Sequence, residues 1–191
     1  MRTMTEQLQT LSRLLEYPAE QDYAQFSPAL AALSQDEREE LFTATFDVTP
    51  SCVPYVSIHL FGEENFKRGE FMAALSARYA AAGFDTRGEL PDHLAMLLRF
   101  LTQADEAERR ELIQFCLLGP LGKMIAALAE ENPYRALLEA ARKVLCATYP
   151  DLRPALSPLE QMQTHGVNRN TAASACGGCS AVPQLEHSIA P

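Results

Sequence analysis

The sequence has no tryptophan, no long apolar run and few basic residues relative to its acidic ones. Its 191 residues include no uninterrupted stretch of about 18 apolar side chains, and the N-terminus lacks the apolar run of a secretory signal. Lysine and arginine number 16 against 25 acidic residues, for a formal net charge of -9. That sign disfavours binding to nucleic-acid phosphates or to anionic lipid. We therefore expect a cytoplasmic protein with no nucleic-acid partner and no stable membrane association, whose charge would select basic partners.

Aromatic residues are missing from the end of the chain. All nine phenylalanines and six tyrosines lie at or before Tyr149, so 150–191 has little with which to build a core. We predict a single compact domain over 1–149 and a flexible, disordered tail over 150–191. Within that tail a short helix near 157–163 is expected, because a Ser-Pro-Leu-Glu start matches a capping box.

Apolar residues in the predicted domain recur at helical spacing. Residues 94–101 illustrate the i, i+3, i+4, i+7 pattern, which favours an all-α, bundle-like domain of about six or seven helices. The alternation over 56–60 is typical of a strand, but no second candidate strand is present to pair with it. We therefore predict a helix there, and we expect Pro120 to kink or break one of the later helices.

The five cysteines are an odd number, which argues against a disulfide framework in a chain of this length. Cys52, Cys116 and Cys146 each have apolar neighbours in the sequence. We expect all three to be small core residues.

The pair Cys176 and Cys179 is the one local chemical signature, because two thiolates across two residues chelate a soft metal or form a redox pair. A structural zinc site needs four ligands, so the pair would have to recruit His165 and His187, or a second chain. An all-α metal-binding or redox-sensing protein that acts through this tail is therefore one alternative function.

Catalytic motifs are lacking in the sequence. It has no G-x-S-x-G elbow, no phosphate-binding glycine-rich loop and no H-E-x-x-H motif. The lack of these motifs disfavours an enzyme without excluding one, because side chains distant in the sequence can converge in a fold, and no catalytic residue is predicted. A hydrolytic or redox enzyme that uses His59 or His93 with a nearby carboxylate stays open as a third class.

Two polar clusters interrupt the helical pattern, one over 59–69 and one over 88–94. A local explanation is that their acidic residues compensate the N-terminal amides of the helices that follow. A second explanation comes from comparing these clusters with a known family.

Five short motifs occur in the order and spacing of that family. They are S-R-L-L-E-Y-P over Ser12–Pro18, L-F-x-x-x-F-D over Leu41–Asp47, H-x-x-G-E with K-R-G over His59–Gly69, L-x-x-x-Y over Leu75–Tyr79 and E-L-P-D-H-L over Glu89–Leu94. Over residues 8 to about 101 the chain resembles the NarJ-type, or nitrate reductase delta-subunit, branch of the TorD-like molybdoenzyme maturation chaperones.

The resemblance implies an all-helical cytoplasmic chaperone that is not itself an enzyme. Its client would be the apo catalytic subunit of a molybdenum oxidoreductase, bound through the client's N-terminal segment. The client would receive molybdopterin guanine dinucleotide before export or membrane attachment, and the chaperone would hold no cofactor permanently. The residues that match family motifs are His59, Gly62, Glu63, Arg68 and Gly69 in the first cluster and Glu89, Pro91, Asp92 and His93 in the second.

A client segment that joins basic residues to an apolar stretch would need an apolar groove with carboxylates at its edge. We expect Leu41, Phe42, Tyr55, Leu60 and Phe61 in the apolar wall and Asp47, Glu63 and Asp92 at the edge. The motif residues His59, Arg68, Glu89 and His93 complete the predicted client-binding set, and no metal ligand is predicted beyond the weak candidates Cys176 and Cys179.

Overall fold

A computed structural model describes residues 2–19 and 21–164. Their regular secondary structure is helical, with no strand, which confirms the all-α class. None of the described helices is both long and apolar enough to cross a membrane. The α-helices are α1 Met4–Leu14, α2 Pro28–Ala31, α3 Gln35–Phe42, α4 Val56–Phe61, α5 Lys67–Ala81, α6 Leu94–Phe100, α7 Glu106–Leu112, α8 Leu118–Ala127 and α9 Pro133–Thr148, with π-helical turns over Thr43–Asp47 and Ile113–Leu117.

The helices begin where the sequence supplies capping residues. Thr3 accepts a hydrogen bond from the Glu6 amide at the start of α1, and the Glu6 carboxylate reaches back to the Thr3 amide. Ser34 and Glu37 form the same reciprocal capping box before α3. Such caps satisfy backbone amides that have no partner within the helix.

The core is organised around α6, which is buried on nearly every side. Leu94 to Leu98 are at most 2% exposed, and Phe100 is fully buried. Helix α6 packs on α1, while α9 packs on both α1 and α8. The residue before α6 is His93, so the N-terminal end of this central helix belongs to the second polar cluster.

The part of the chain that the structure describes has more helices than the six or seven expected, because several are short and π turns divide two longer segments. Helix α2 has four residues and α4 has six, which confirms the helix predicted over 56–60. Pro120 does not end its helix, since α7, the second π turn and α8 run without interruption. The carbonyl that this proline crowds, on Cys116, lies within the π turn, where the backbone is widened.

Residues 150–164 pack on the helical domain. Leu152 is 9% exposed, and the Ala155 amide donates to the Gln114 carbonyl at 3.2 Å. The stretch 158–164 is helical, with the capping box expected at its start. The rest of the predicted tail, 165–191, lies outside the described residues, and the boundary at 149 stays a prediction.

Removing residues 157–164 is expected to lower the thermal stability of the domain. Their helix is held by the cap at Ser157, by the 3.2 Å ion pair between Lys123 and Glu160, and by the approach of Leu159 to Gly62. We expect a chain ending at Leu156 to unfold about 3–6 °C below one ending at Thr164. Equal midpoints in thermal unfolding followed by circular dichroism would show that this packing contributes nothing.

Candidate functional site

The two polar clusters of the sequence meet in the structure. The Val56 amide donates to the Asp92 carbonyl at 2.9 Å, and the Leu94 amide donates to the Pro54 carbonyl at 2.8 Å. These bonds form an antiparallel bridge between Tyr55 and His93. The segment that enters α4 is thereby joined to the segment that enters α6.

Asp92 lies beneath this bridge and is fully buried. Its Oδ2 atom accepts a hydrogen bond from the hydroxyl of Ser57, which in turn accepts one from Nε of Arg68 at 3.1 Å. The expectation that Asp92 is a hydrated carboxylate at a groove edge is therefore wrong. It is an internal group, linked to α5 through Ser57.

His93 forms part of the same junction and is 5% exposed. Its Nδ1 atom accepts the Ala95 amide at 3.2 Å and so caps α6, and its ring meets the ring of Tyr55 edge-on at 5.4 Å. Burial lowers the pKa of His93 against the opposing effect of Glu89 and Asp92. The imidazole is therefore neutral at pH 7, as its role as a hydrogen-bond acceptor requires.

A groove of about 370 Å³ opens beside this junction, between the C-terminal end of α1, the first π turn and the N-terminal part of α6. Its apolar lining includes aromatic rings from three parts of the chain, and three carboxylates and two arginines accompany them. The lining residues are Glu16, Tyr17, Phe42, Phe46, Asp47, Pro54, Tyr55, Thr86, Arg87, Glu89, His93, Met96 and Arg99.

Five residues predicted from the sequence line the groove. They are Phe42 and Asp47 from the second motif, Glu89 and His93 from the fifth, and Tyr55, which lies between the second and third motifs. Together they place apolar side chains and two carboxylates on one surface.

The other predicted residues lie outside the groove. Leu60 is 4% exposed and belongs to the core, so its assignment to an accessible wall is wrong. Phe61 packs on Phe71 with ring centroids 5.6 Å apart, and the half-buried Leu41 packs against the core. The remaining members of this set are His59, Glu63 and Arg68, on or next to α4 and α5.

Several groove residues were not in the predicted set although the motifs contained some of them. Glu16 and Tyr17 belong to the first motif and Phe46 to the second. Met96 and Arg99 follow the last motif on α6, where the pattern alone predicted only core positions. Motif membership was thus the signal for the first three residues, and no comparable sequence signal marked Met96 and Arg99.

The electrostatics of the groove are set by how its charges pair. Nη1 of Arg99 lies 3.3 Å from Oε1 of Glu16, and Cζ of Arg99 lies 4.8 Å from the centroid of the Phe84 ring. The charges of Arg99 and Glu16 are therefore already paired with each other. Asp47 and Glu89 form no ion pair with any described residue within 4.0 Å. Arg87 also forms no ion pair with a described residue, so two carboxylates and one arginine of the groove are unpaired, and the excess charge available to a ligand is negative.

The structure gives His59 a structural role in the interior and shows no metal site among the described residues. Nε2 of His59 contacts the Val53 carbonyl at 2.8 Å, and burial lowers the pKa of His59. Over 2–19 and 21–164 no group of three metal-ligating side chains is close enough to hold a metal ion. Cys176 and Cys179 lie outside the described residues.

The three other cysteines divide between interior and surface. Cys52 and Cys116 are buried, and burial raises the pKa of each thiol to about 12. Cys146 is exposed on α9, so its assignment to the core is wrong. The two buried thiols are therefore protonated at neutral pH, which makes them poor nucleophiles.

The lowered pKa values of His59 and His93 predict a stability that falls with acidity. The ordinary pKa of histidine is 6.5, so both imidazoles of the unfolded chain become protonated below that pH. In the folded protein the same imidazoles stay neutral until a lower pH. The free energy of unfolding should be fully developed above 6.5 and decline as the pH falls through the folded-state values. Urea unfolding between about pH 7.5 and 5.5 should show this decline.

The variant His93→Asn keeps an acceptor for capping α6 and should show a shallower decline than the wild type. Adding His59→Gln should flatten it further, because the second buried imidazole is then also removed. An unchanged slope in the double variant would show that neither histidine is responsible.

A comparison with protein families identifies the family of this chain. A search of curated proteins found no match. The family model described as nitrate reductase delta subunit matches residues 5–145, from α1 into α9. This match includes all five motifs and every residue of the groove. The chain therefore belongs to the nitrate reductase delta subunit family, a family of maturation chaperones that partner nitrate reductase.

Proposed function

We propose that this protein is a cytoplasmic chaperone that binds the N-terminal segment of the apo catalytic subunit of a molybdenum oxidoreductase. The observation that carries the proposal is the groove, which combines aromatic side chains with the carboxylates of Asp47 and Glu89. A segment with an apolar stretch beside basic residues is complementary to such a surface. In this proposal the protein has no catalytic activity and makes no stable contact with membrane or nucleic acid.

The acidic surface continues beyond the groove and supports a basic client. Tyr17 lines both the groove and a shallow adjoining face, where it is 58% exposed. That face carries Asp36, Glu39 and Glu40 and has no basic side chain in its lining. A bound segment could therefore place its apolar side chains among the rings and its lysines or arginines along α3.

Binding this segment would keep the client immature until its cofactor is in place. The cofactor, molybdopterin guanine dinucleotide, belongs to the client, and the chaperone holds none permanently. A segment occupied by the chaperone is not free for export or for membrane attachment. In this proposal, the chaperone therefore sets the order of assembly by occupying the segment.

The direct test is a calorimetric titration with a synthetic peptide that spans the N-terminal segment of a nitrate reductase catalytic subunit, called here the client peptide. Saturable binding at one site is expected. Absence of binding by this peptide and by the corresponding peptides of other molybdoenzymes would refute the proposed function. Metal content of protein purified without chelator tests the alternative that acts through Cys176 and Cys179.

Salt should weaken the binding of the client peptide only in part. Each exposed pair between a peptide arginine and Asp47 or Glu89 is expected to contribute about 0.2–1 kcal/mol and to be screened. Burial of apolar surface contributes roughly 25 cal/mol per Å² and is almost insensitive to moderate salt. The dissociation constant should therefore rise by less than about 30-fold between 0.05 and 0.5 M sodium chloride, as the Debye length shortens.

A matched pair of variants locates the screened charge. Glu89→Gln should lower both the affinity and its salt dependence, whereas Glu131→Gln, at an exposed acid in the turn before α9, should leave both unchanged. Binding at about 0.05 M sodium chloride that disappears completely at about 0.5 M would show that the peptide is a ligand held by charge alone. That result would overturn the account of an apolar groove.

A further inference from the structure

We propose that Arg68 is a positioning residue for the groove: through the Ser57 hydroxyl it holds Asp92, and so fixes His93 and Tyr55 in the groove wall. This inference rests on the proposed function, because its measured effect is the affinity for the client peptide. Arg68 itself does not line the groove. Its effect would therefore be indirect, carried by the hydrogen bonds between α5 and the segment before α6.

The geometry of this link is well defined at each step. Nη1 of Arg68 donates to the Glu63 carbonyl at 2.7 Å, which fixes the guanidinium at the start of α5. Its Nε donates to the Ser57 hydroxyl at 3.1 Å, and that hydroxyl donates to Oδ2 of Asp92. Ser57 and Asp92 are both fully buried, so water does not compete for these bonds.

The buried carboxylate of Asp92 requires a compensating cation nearby. Its second oxygen, Oδ1, has no hydrogen-bond partner among the described residues, and no cation of the described chain lies within 4.0 Å of its carboxylate. A buried carboxylate is costly without compensating charge or hydrogen bonds. The guanidinium of Arg68, one hydroxyl away, is the cation that reaches it.

The other titratable groups around Asp92 supply no positive charge at neutral pH. Burial raises the pKa of Tyr55 and of Tyr79, so both phenols stay neutral. Burial lowers the pKa of His93, so its imidazole is neutral as well. Arg68 is thus the described cation that hydrogen bonds link to this carboxylate.

A shift of Asp92 would be transmitted to the groove through the backbone. Its carbonyl accepts the Val56 amide at 2.9 Å, and the adjacent residues His93 and Tyr55 form the bridge whose side chains line the groove. If Asp92 moves toward water because its cation is missing, both wall residues must move with it. The groove would then lose the surface that the peptide contacts.

The test is the affinity of Arg68→Gln for the client peptide, measured by calorimetry beside Lys67→Gln. Lys67 is the exposed neighbour on α5, so its variant changes the net charge equally without touching the link. We expect about ten-fold weaker binding for Arg68→Gln, as for loss of a hydrogen bond from a charged group, and an unchanged affinity for Lys67→Gln. Equal affinities in the two variants would overturn the inference.

Rescue distinguishes positioning from general destabilisation. Adding Asp92→Asn to Arg68→Gln removes the uncompensated charge but keeps an acceptor for Ser57, so the double variant should bind more tightly than Arg68→Gln alone. The His93 ring resonances in NMR spectra should shift in Arg68→Gln and return in the double variant. No rescue in either measurement would refute the positioning role.

The remaining outcomes are also informative. If Arg68→Gln does not fold, Arg68→Lys replaces it in the test, because lysine keeps the charge but lacks the planar guanidinium. Arg68→Lys should bind the client peptide more weakly than the wild type. An affinity equal to that of the wild type would contradict the role of the guanidinium. If the wild type binds no peptide, the proposed function itself fails. Binding by the wild type together with an unaffected Arg68→Gln leaves the function intact and removes only this inference.

Discussion

Replacing Phe42 by alanine is expected to weaken the binding of the client peptide by about 2–4 kcal/mol, the largest loss that any single groove residue should give. Phe42 lines the groove and packs on Phe46 with ring centroids 5.2 Å apart. Its ring also meets those of Tyr17 and Tyr134, at 5.4 and 5.9 Å. Truncation would remove a contact for the ligand and loosen the rings around it, because aromatic clusters of this kind act as anchors of interfaces.

The matched control is Phe61→Ala, at a residue that the sequence placed in the same apolar wall. Phe61 is half-buried against Phe71 and lies outside the groove. Its variant should bind the client peptide with an affinity within about two-fold of the wild type, since distant substitutions rarely couple strongly. Calorimetric titration of both variants, each checked for folding by circular dichroism, decides between them. Equal losses would place the peptide elsewhere on the surface.

The fold class could be predicted from the sequence because several helices carry their own signals. Capping residues mark the starts of α1, α3 and α9, and the apolar repeat marks the buried face of α6. The π turns lacked such a signal. The one before Pro120 arises where a proline is kept inside a continuous helix, and this depends on packing as well as on local preference.

The site was predicted in part because its motifs combine two kinds of residue. Glu89 reaches the groove, while Asp92, within the same motif, turns inward to Ser57. Sequence spacing does not distinguish these orientations, because the segment before α6 is irregular and has no fixed periodicity. The inward orientation depends on a hydrogen bond to a residue 35 positions earlier in the chain.

Phe61 and Leu60 show the same limit on α4. Both are apolar residues within the first polar cluster, so composition favoured a place in the wall. Leu60 instead faces the core, and Phe61 packs on α5. A helix of six residues presents different faces at successive positions, and only the packing of its neighbours decides which face meets the groove.

Replacing Phe100 by alanine is expected to lower the free energy of unfolding by about 3–5 kcal/mol, the largest loss of stability predicted for this protein. Phe100 is fully buried at the end of α6, with ring centroids 4.6 Å from Tyr79 and 5.4 Å from Phe84. The cavity left behind is lined by large rings that cannot collapse into it without moving α5. Urea unfolding followed by circular dichroism measures the change.

The control for this loss is Phe115→Ala, which removes the same atoms from a side chain that is 54% exposed on the second π turn. Its cost should be about 1 kcal/mol or less, because little apolar surface returns to water and no internal cavity forms. The two variants together distinguish the cost of an internal cavity from the cost of losing a partly exposed apolar side chain.

The substitution at Phe100 should also disturb the groove. Phe100 packs on Tyr79, whose hydroxyl donates to the Pro91 carbonyl at 2.8 Å, beside Asp92. Phe100→Ala should therefore weaken client-peptide binding under conditions where it is fully folded, whereas Phe115→Ala should not.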